Sequence, residues 1–222
     1  DGLAKINYDC KPSLISIVKD IRKQDFKGPL LLRFPHITEK QVNTLYNTFN
    51  SSIKEYDYKG TFNAVFPLKV NQLPNFIHPL INEGKKFNYG LEAGSKAELV
   101  IAMTYNNVGS PITVNGFKDK EMIHLGFIAK SMGHNITIII EGLNELEIII
   151  EVLNETKMEC PNIGLRVRLH SGGSGLWAKS GGINSKFGLT STEILEAYEL
   201  MEDNNLVKHL TMIHFHIGSA MN

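Results

Sequence analysis

From residue 62 onward, short runs of apolar or β-branched residues alternate with amphipathic stretches, the pattern of βα units around a parallel sheet. Strand candidates span residues 62–69, 87–91, 112–116, 136–140, 163–169 and 210–217. Their starts lie 25, 25, 24, 27 and 47 residues apart, and only the last interval, which holds a Gly/Ser-rich insertion, breaks the rhythm. Helix starts are marked by Ser, Thr or Asn followed three residues later by Glu or Gln, the spacing of a reciprocal cap that satisfies otherwise orphan N–H groups. Thr38 with Gln41, Ser95 with Glu98, Asn144 with Glu147 and Thr190 with Glu193 fit it. After Asn144, the residues Leu146, Ile149, Ile150 and Leu153 share one helical face that can cover a sheet. Ahead of this region lie a helical stretch at 14–21, a strand-like segment at 29–34 and a helix at about 38–54.

Units of this length suit either an open doubly wound sheet or a (β/α)8 TIM barrel, which takes about 250 residues. Six strands are visible and the sequence given stops at Asn222, just after the sixth. The expectation is an α/β fold, a (β/α)8 barrel with about six of its eight βα units present. Residues 59–222 form that partial barrel, and residues 1–58 form a separate N-terminal segment.

Composition narrows the function without changing the fold. Hydrophobic residues make up 42% and charged residues 21% of the 222 positions, as in an ordinary globular chain. Lys plus Arg and Asp plus Glu balance at 23 each, so no bulk charge draws the protein to nucleic acid or to an anionic membrane. No apolar run approaches the roughly 20 residues of a membrane span, and the opening Asp1-Gly2-Leu3 is neither an initiator Met nor a signal peptide. Cys10 and Cys160, without metal spacing, fit a reducing cytoplasm and plain thiols.

Candidate chemistry gathers at the carboxyl ends of the strands. The first strand runs Val65-Phe66-Pro67-Leu68-Lys69-Val70 and ends in a single lysine. Between Leu68 and Val70 its amine would be desolvated, which lowers its pKa and frees it as a nucleophile toward carbonyls. The plain alternative is a lysine that reaches solvent. Glu92 follows the second strand, as a site carboxylate or as a partner of the next helix dipole. The third and fourth strands end in Asn115-Gly116 and Glu141-Gly142. Period-two alternation puts Arg166 and Arg168 on one face of the fifth strand, for an anion or for a structural salt bridge. The sixth carries His214 and His216 on one face, a fair metal-ligand pattern. Alternatively, one imidazole packs flat on a ring while Ser219 and nearby N–H groups hold an anion. The Gly/Ser-rich stretch at 171–189 lacks the Gly-Lys-Ser/Thr ending of a P-loop and reads as a lid, a phosphate cradle or a linker.

Several motifs together closely resemble the bacterial biosynthetic arginine decarboxylases. They are Val65-Phe66-Pro67-Leu68-Lys69-Val70-Asn71-Gln72, Gly90-Leu91-Glu92-Ala93-Gly94-Ser95, Ser185-Lys186-Phe187-Gly188-Leu189 and His214-Phe215-His216-Ile217-Gly218-Ser219. Leu32-Arg33-Phe34-Pro35 and Lys130-Ser131-Met132-Gly133-His134 extend the likeness over nearly the whole chain. The resemblance implies the alanine-racemase-like class of pyridoxal phosphate enzymes, a barrel followed by a C-terminal β domain that the N-terminal segment joins. It gives Lys69 the Schiff base to the cofactor, His216 the pyridine face and Ser219 the cofactor phosphate. More loosely, it sets Arg168 near the phenolic oxygen and Glu92 beside the Schiff base. The main phosphate loop and the residues supplied by a partner subunit lie beyond Asn222 in the family, so the Gly/Ser stretch becomes a lid or gate, and residues 1–222 alone should not turn over.

The implied activity is decarboxylation of L-arginine to agmatine, which feeds polyamine biosynthesis, by a cytoplasmic homo-oligomer built on dimers with shared active sites. The resemblance also brings magnesium, for which the sequence shows no ligand set. Competing readings are an ornithine or diaminopimelate decarboxylase, a non-catalytic pyridoxal-phosphate-binding barrel and, more distantly, a class I aldolase.

Overall fold

Six parallel strands pair in strict chain order, β1-β2-β3-β4-β5-β6. They are β1 (Val65–Pro67), β2 (Gly90–Ala93), β3 (Pro111–Val114), β4 (Asn135–Ile140), β5 (Asn162–Arg166) and β6 (Leu210–His214). The structure is a computed structural model that describes residues 12–169 and 187–218. Crossover helices α3 (Pro74–Gly84), α4 (Lys96–Tyr105), α5 (Lys120–Ser131), α6 (Leu143–Thr156) and α7 (Ser191–Asp203) join successive strands. A doubly wound sheet reverses its strand order at a switch point. This one never reverses, which identifies it as part of a (β/α)8 barrel.

Register sets the two faces of the sheet. Leu91 pairs with Ile112 and Ile112 with Ile136, while Glu92 pairs with Thr113 and Thr113 with Thr137. Because neighbours in register point the same way, the first row and the second lie on opposite faces. The apolar row packs under the helices: a Cβ on Gly126 of α5 would lie 2.8 Å from Ile138 Cδ1 and 3.4 Å from its Cγ1, so α5 rests directly on this row. Leu91, Ile112, Ile136, Ile138, Ile163 and Leu165 are all buried in this layer. The other face carries Glu92, Thr113 and Thr137 and, nearer the carboxyl rim, Arg166 in register with His214.

The chain divides into two compact units, residues 1–34 and 35–222. The expected division at 58/59 therefore lies well inside the second unit. The helix ahead of it, α2 (Pro35–Glu55), buries Val42 and Tyr46 in the same core as the sheet. Tyr46 stacks on Phe87 at 4.3 Å and its hydroxyl accepts the Ala64 N–H at 3.0 Å. In the first unit, α1 (Leu14–Arg22) is capped by Ser13, whose Oγ accepts the Ser16 N–H at 3.1 Å, and the Arg22 guanidinium closes the following turn on the carbonyls of Phe26 and Gly28.

Several local expectations are corrected. The segment 29–34 has no regular element. The helix expected at Thr38 starts at Pro35, a residue whose missing N–H costs nothing at a first helical position. The second strand begins at Gly90, because residues Lys85–Phe87 form a 3-10 turn closed by Asn88 in the left-handed region, φ 56°. Of the four reciprocal caps, the Thr190–Glu193 box forms in full. Ser95 receives the Glu98 N–H, but the Glu98 carboxylate returns to Gly94. At α6 the cap is Gly142, not Asn144, and Glu145 rather than Glu147 reaches back, to the Glu141 N–H at 2.8 Å.

Gly90 is where the sheet tolerates least. A Cβ there would lie 2.0 Å from the Pro111 carbonyl oxygen, a backbone atom of the neighbouring strand that cannot step aside. At Gly94 the nearest atom is a side-chain oxygen of Glu98 at 3.4 Å, ordinary contact. Gly90→Ala in the full-length protein should therefore lose about 1–3 kcal/mol or more, the range for overpacking, seen as a lower thermal midpoint. Gly94→Ala should melt close to wild type.

Candidate active site

At the carboxyl rim of the sheet an open groove of about 620 Å³ is lined by Lys69, Glu92, Glu98, Asn115, Arg166 and His216, with Gly94, Gly116, Phe117, Glu141, Phe187 and His214 completing its wall. Lys69 sits in the turn that follows β1, closed by the Val70 N–H donating to the Pro67 carbonyl at 3.0 Å. Leu68 is fully buried and its N–H is tied to the Glu92 carbonyl at 3.0 Å. Lys69 and Val70 are both exposed. The cover expected from its neighbours is therefore absent: Leu68 is in the core and Val70 is itself exposed, and Lys69 stands out by its position on the rim.

The groove is stitched together by carboxylates from the first turns of the helices. Glu98, nearly buried, accepts the Gly94 N–H at 2.7 Å on one oxygen and the Gln72 side-chain amide at 3.1 Å on the other. It thereby joins the loop after β2 to the segment that carries Lys69. Glu145 repeats the device one pair of strands along. Its Oε2 accepts the Glu141 N–H at 2.8 Å, while Oε1 accepts the Lys118 N–H at 3.3 Å and pairs with Lys118 Nζ at 3.1 Å. Lys118 Nζ also donates to the Gly116 carbonyl.

The side chain of Lys118 is 0% exposed and that of Glu145 6%. Burial holds the Lys118 amine below its ordinary range and the Glu145 carboxyl above its own, against the attraction of each for the other. Breaking such a pair by removing one partner costs about 3–5 kcal/mol, yet replacing both with apolar groups is often neutral. Stability alone does not account for it. The solvent-exposed pairs of Lys120 with Glu151 and Glu155 are of the kind worth about 0–1 kcal/mol.

Glu141 turns its carboxylate onto the Arg166 guanidinium at the end of β5. Arg166 also lies over the Phe187 ring, 5.6 Å from its centroid. His214, opposite Arg166 in register, has a buried Nδ1 with no hydrogen-bond partner among the described residues. Burial first, and the nearby Arg166 charge second, push its pKa below the ordinary 6.5.

Of the residues singled out from the sequence, Lys69, Glu92 and His216 line one groove. Arg168 does not line it: its guanidinium donates twice to the Gly188 carbonyl, at 2.8 and 3.1 Å, and Arg166, two residues earlier, takes the position on the wall. Ser219, Cys10 and most of the Gly/Ser-rich stretch lie outside the described residues. Lys118, Glu145 and the loop-joining role of Glu98 were not foreseen. The sequence offers one signal for them, an acidic residue in the first turn after a strand end, which is compatible with a simple helix cap.

A family model described as pyridoxal-dependent decarboxylase, pyridoxal binding domain, matches residues 40–222. The chain belongs to this family. It is 58% identical to the biosynthetic arginine decarboxylase of Campylobacter jejuni, whose crystal structure superposes with a TM-score of 0.89 over 99% of this chain and 35% of that one. The biosynthetic arginine decarboxylase of Bacteroides thetaiotaomicron is 43% identical over 209 residues, 94% of this chain and 33% of the relative. The diaminopimelate decarboxylase of Helicobacter pylori shares the fold, with a TM-score of 0.66 at 19% identity over 91% of this chain and 48% of that one. The chain thus spans about a third of the length of the arginine decarboxylases it matches.

Within this family member, Cys160 is buried, and burial pushes its thiol up to about 12, against the thiolate form. Among the described residues no group of three or more His, Cys, Asp or Glu side chains is placed to hold a metal ion. The pair His214 and His216 therefore gains no further ligands there, nothing described fits magnesium, and no step is assigned to it. No helix among the described residues is long and apolar enough to cross a membrane.

His214 makes a pH prediction. A histidine whose folded pKa lies below its unfolded value contributes stability that is fully present above the unfolded pKa and lost as pH falls through the folded one. The full-length protein should lose thermal stability below pH 6.5, the ordinary value for this group. In His214→Asn that loss should be smaller, as read from the difference between the two melting curves between pH 8 and pH 5.

Proposed function

We propose that this chain carries the cofactor-binding part of an enzyme that converts L-arginine to agmatine and carbon dioxide with pyridoxal 5'-phosphate, a reaction that feeds polyamine biosynthesis. One observation carries the reading: a primary amine, Lys69, on the carboxyl rim of β1, in a groove shared with two imidazoles and a guanidinium. The 58% identity to a protein named biosynthetic arginine decarboxylase supports the substrate.

The donor set fits the cofactor. Lys69 offers an exposed amine suited to an aldehyde, and the buried, unpartnered Nδ1 of His214 is a polar atom that a bound polar ring can satisfy. Lys69, Glu92 and His216 would hold the ring and its aldehyde, and Ser219 the phosphate. The part that the resemblance gives to Arg168 we assign to Arg166, the arginine that lines the groove. When bound, the group supplies an aldehyde with which amines condense and a conjugated ring that takes up the electron pair left by the departing carboxylate.

The chain's own residues do the rest. Lys69 Nζ is the covalent anchor and, when not so engaged, is free to hold or release a proton. Glu92, Glu98 and Glu141 offset the cationic charge of Lys69 and Arg166 along the same wall. His214, kept toward its neutral form by burial and by Arg166, orients what it touches by hydrogen bonding and leaves the positive charge of the site to Lys69 and Arg166. We further assign the full-length protein to the cytoplasm, as a homo-oligomer of dimers with shared sites and with no nucleic-acid or membrane partner; the balance of 23 basic and 23 acidic residues supports the last point.

Carbon dioxide release by the full-length protein, with pyridoxal phosphate and with arginine, ornithine, lysine or diaminopimelate offered separately, tests the reading. Release from arginine alone, falling to background in Lys69→Ala, is the expected result. Release from another amino acid would overturn the substrate, and silence with all four would overturn the activity.

A further inference from the structure

Lys118 is a fully buried lysine that does not line the groove, yet every group it and Glu145 bind belongs to a loop that does. Lys118 Nζ holds the Gly116 carbonyl in the loop after β3, and Glu145 holds the Lys118 and Glu141 N–H groups in the loops after β3 and β4. Glu141 in turn pairs with Arg166 and accepts the Gly188 N–H at 3.2 Å through its carbonyl. We propose that the Lys118–Glu145 pair is a positioning element for Arg166, fixing the loops after β3 and β4 so that Glu141 holds the guanidinium on the groove wall, and that it thereby sets the affinity for the cofactor. This inference rests on the cofactor-binding reading above and extends it to residues that touch neither cofactor nor substrate.

The comparison with Glu98 shows why a charge matters here. Glu98 joins its two loops with a neutral amide, Gln72, as the donor from the preceding loop. A cation is therefore not needed merely to tie loops together, and burying one is unfavourable. What Lys118 adds is charge balance among neighbours. With Lys118 offsetting Glu145, the Glu141 carboxylate is left to Arg166. Without Lys118, the Glu145 carboxylate, bonded to the Glu141 N–H, would compete with the Glu141 carboxylate for Arg166, and the guanidinium would be drawn off the wall.

The test is a cycle of variants of the full-length protein, stripped of cofactor and titrated with pyridoxal phosphate by visible absorbance, with circular dichroism to confirm the fold. Lys118→Met should weaken binding by about tenfold or more when Arg166 is present, and by less than about twofold in an Arg166→Met background, because residues acting through one another are not additive. Should Lys118→Met fail to fold, Glu145→Gln keeps an oxygen for the Glu141 N–H but leaves the Lys118 amine without its carboxylate, so that it competes with Arg166 for Glu141, and the same pattern is expected of it. Unchanged affinity in a folded variant, or an equal loss in both backgrounds, would overturn the proposal. The readout needs no substrate. Wild-type protein that binds cofactor but spares arginine would sink the substrate reading alone, and wild-type protein that binds no cofactor would sink both.

Discussion

Parallel pairing in unbroken chain order is the constraint from which the rest of the molecule follows. It sends every strand the same way, so the carboxyl ends of β1 to β6 meet on one rim. Period-two alternation then sorts side chains between a face under the helices and a face turned away from them. Leu91, Ile112 and Ile136 fall on the first, Glu92, Thr113 and Thr137 on the second. A slip of one residue would exchange the two sets. At Gly90 the close approach of the Pro111 carbonyl leaves no space for a side chain between β2 and β3. A chain with this register has a polar rim whether or not it catalyses anything, and what makes the rim a site is which residues stand on it.

Loops, unlike strands, have no ladder to hold them in place, and the structure supplies the missing restraint with carboxylates. Glu98 and Glu145 each reach back from a helix first turn to a loop N–H and sideways to a donor from the loop before. Buried side-chain acceptors that bind backbone donors satisfy groups that would otherwise be orphaned at a helix start. Here the same bonds also tie loop to loop. A rim built this way is fixed in pairs, the Lys69 turn to the loop after β2 and the loop after β3 to that after β4, and Arg166 extends the second pair to β5.

The sequence made the strands legible because a buried parallel sheet needs runs of β-branched and apolar residues, and all six appear where such runs occur, although every one but β4 is shorter than expected. It made Lys69, Glu92 and His216 legible because a polar residue at the end of an apolar run has to be explained. It hid Lys118, which stands in the run Lys118-Asp119-Lys120-Glu121 and reads as part of a solvated helix start. Three of those four are indeed exposed or half exposed, with Asp119 serving as the N-cap of α5. Only tertiary packing separates the fourth. Arg166 and Arg168 were not separable in the sequence for a similar reason: alternation puts them on one face, but β5 ends at Arg166, and past that point the chain turns to meet Gly188 and Leu189.

The two lysines of this rim reverse the usual expectation. A buried lysine with its amine held below the ordinary range is the usual mark of a nucleophile, and by that criterion Lys118 would be chosen. Access to the groove argues against it. Lys118 Nζ is engaged by Glu145 and by the Gly116 carbonyl and its side chain is fully buried, whereas Lys69 is exposed on a groove of about 620 Å³. A perturbed group needs access to a reactant before its perturbation can serve chemistry. In this fold the buried cation ties loop to loop behind the wall, and the amine of Lys69 stays on the exposed rim, where a group entering the groove would meet it.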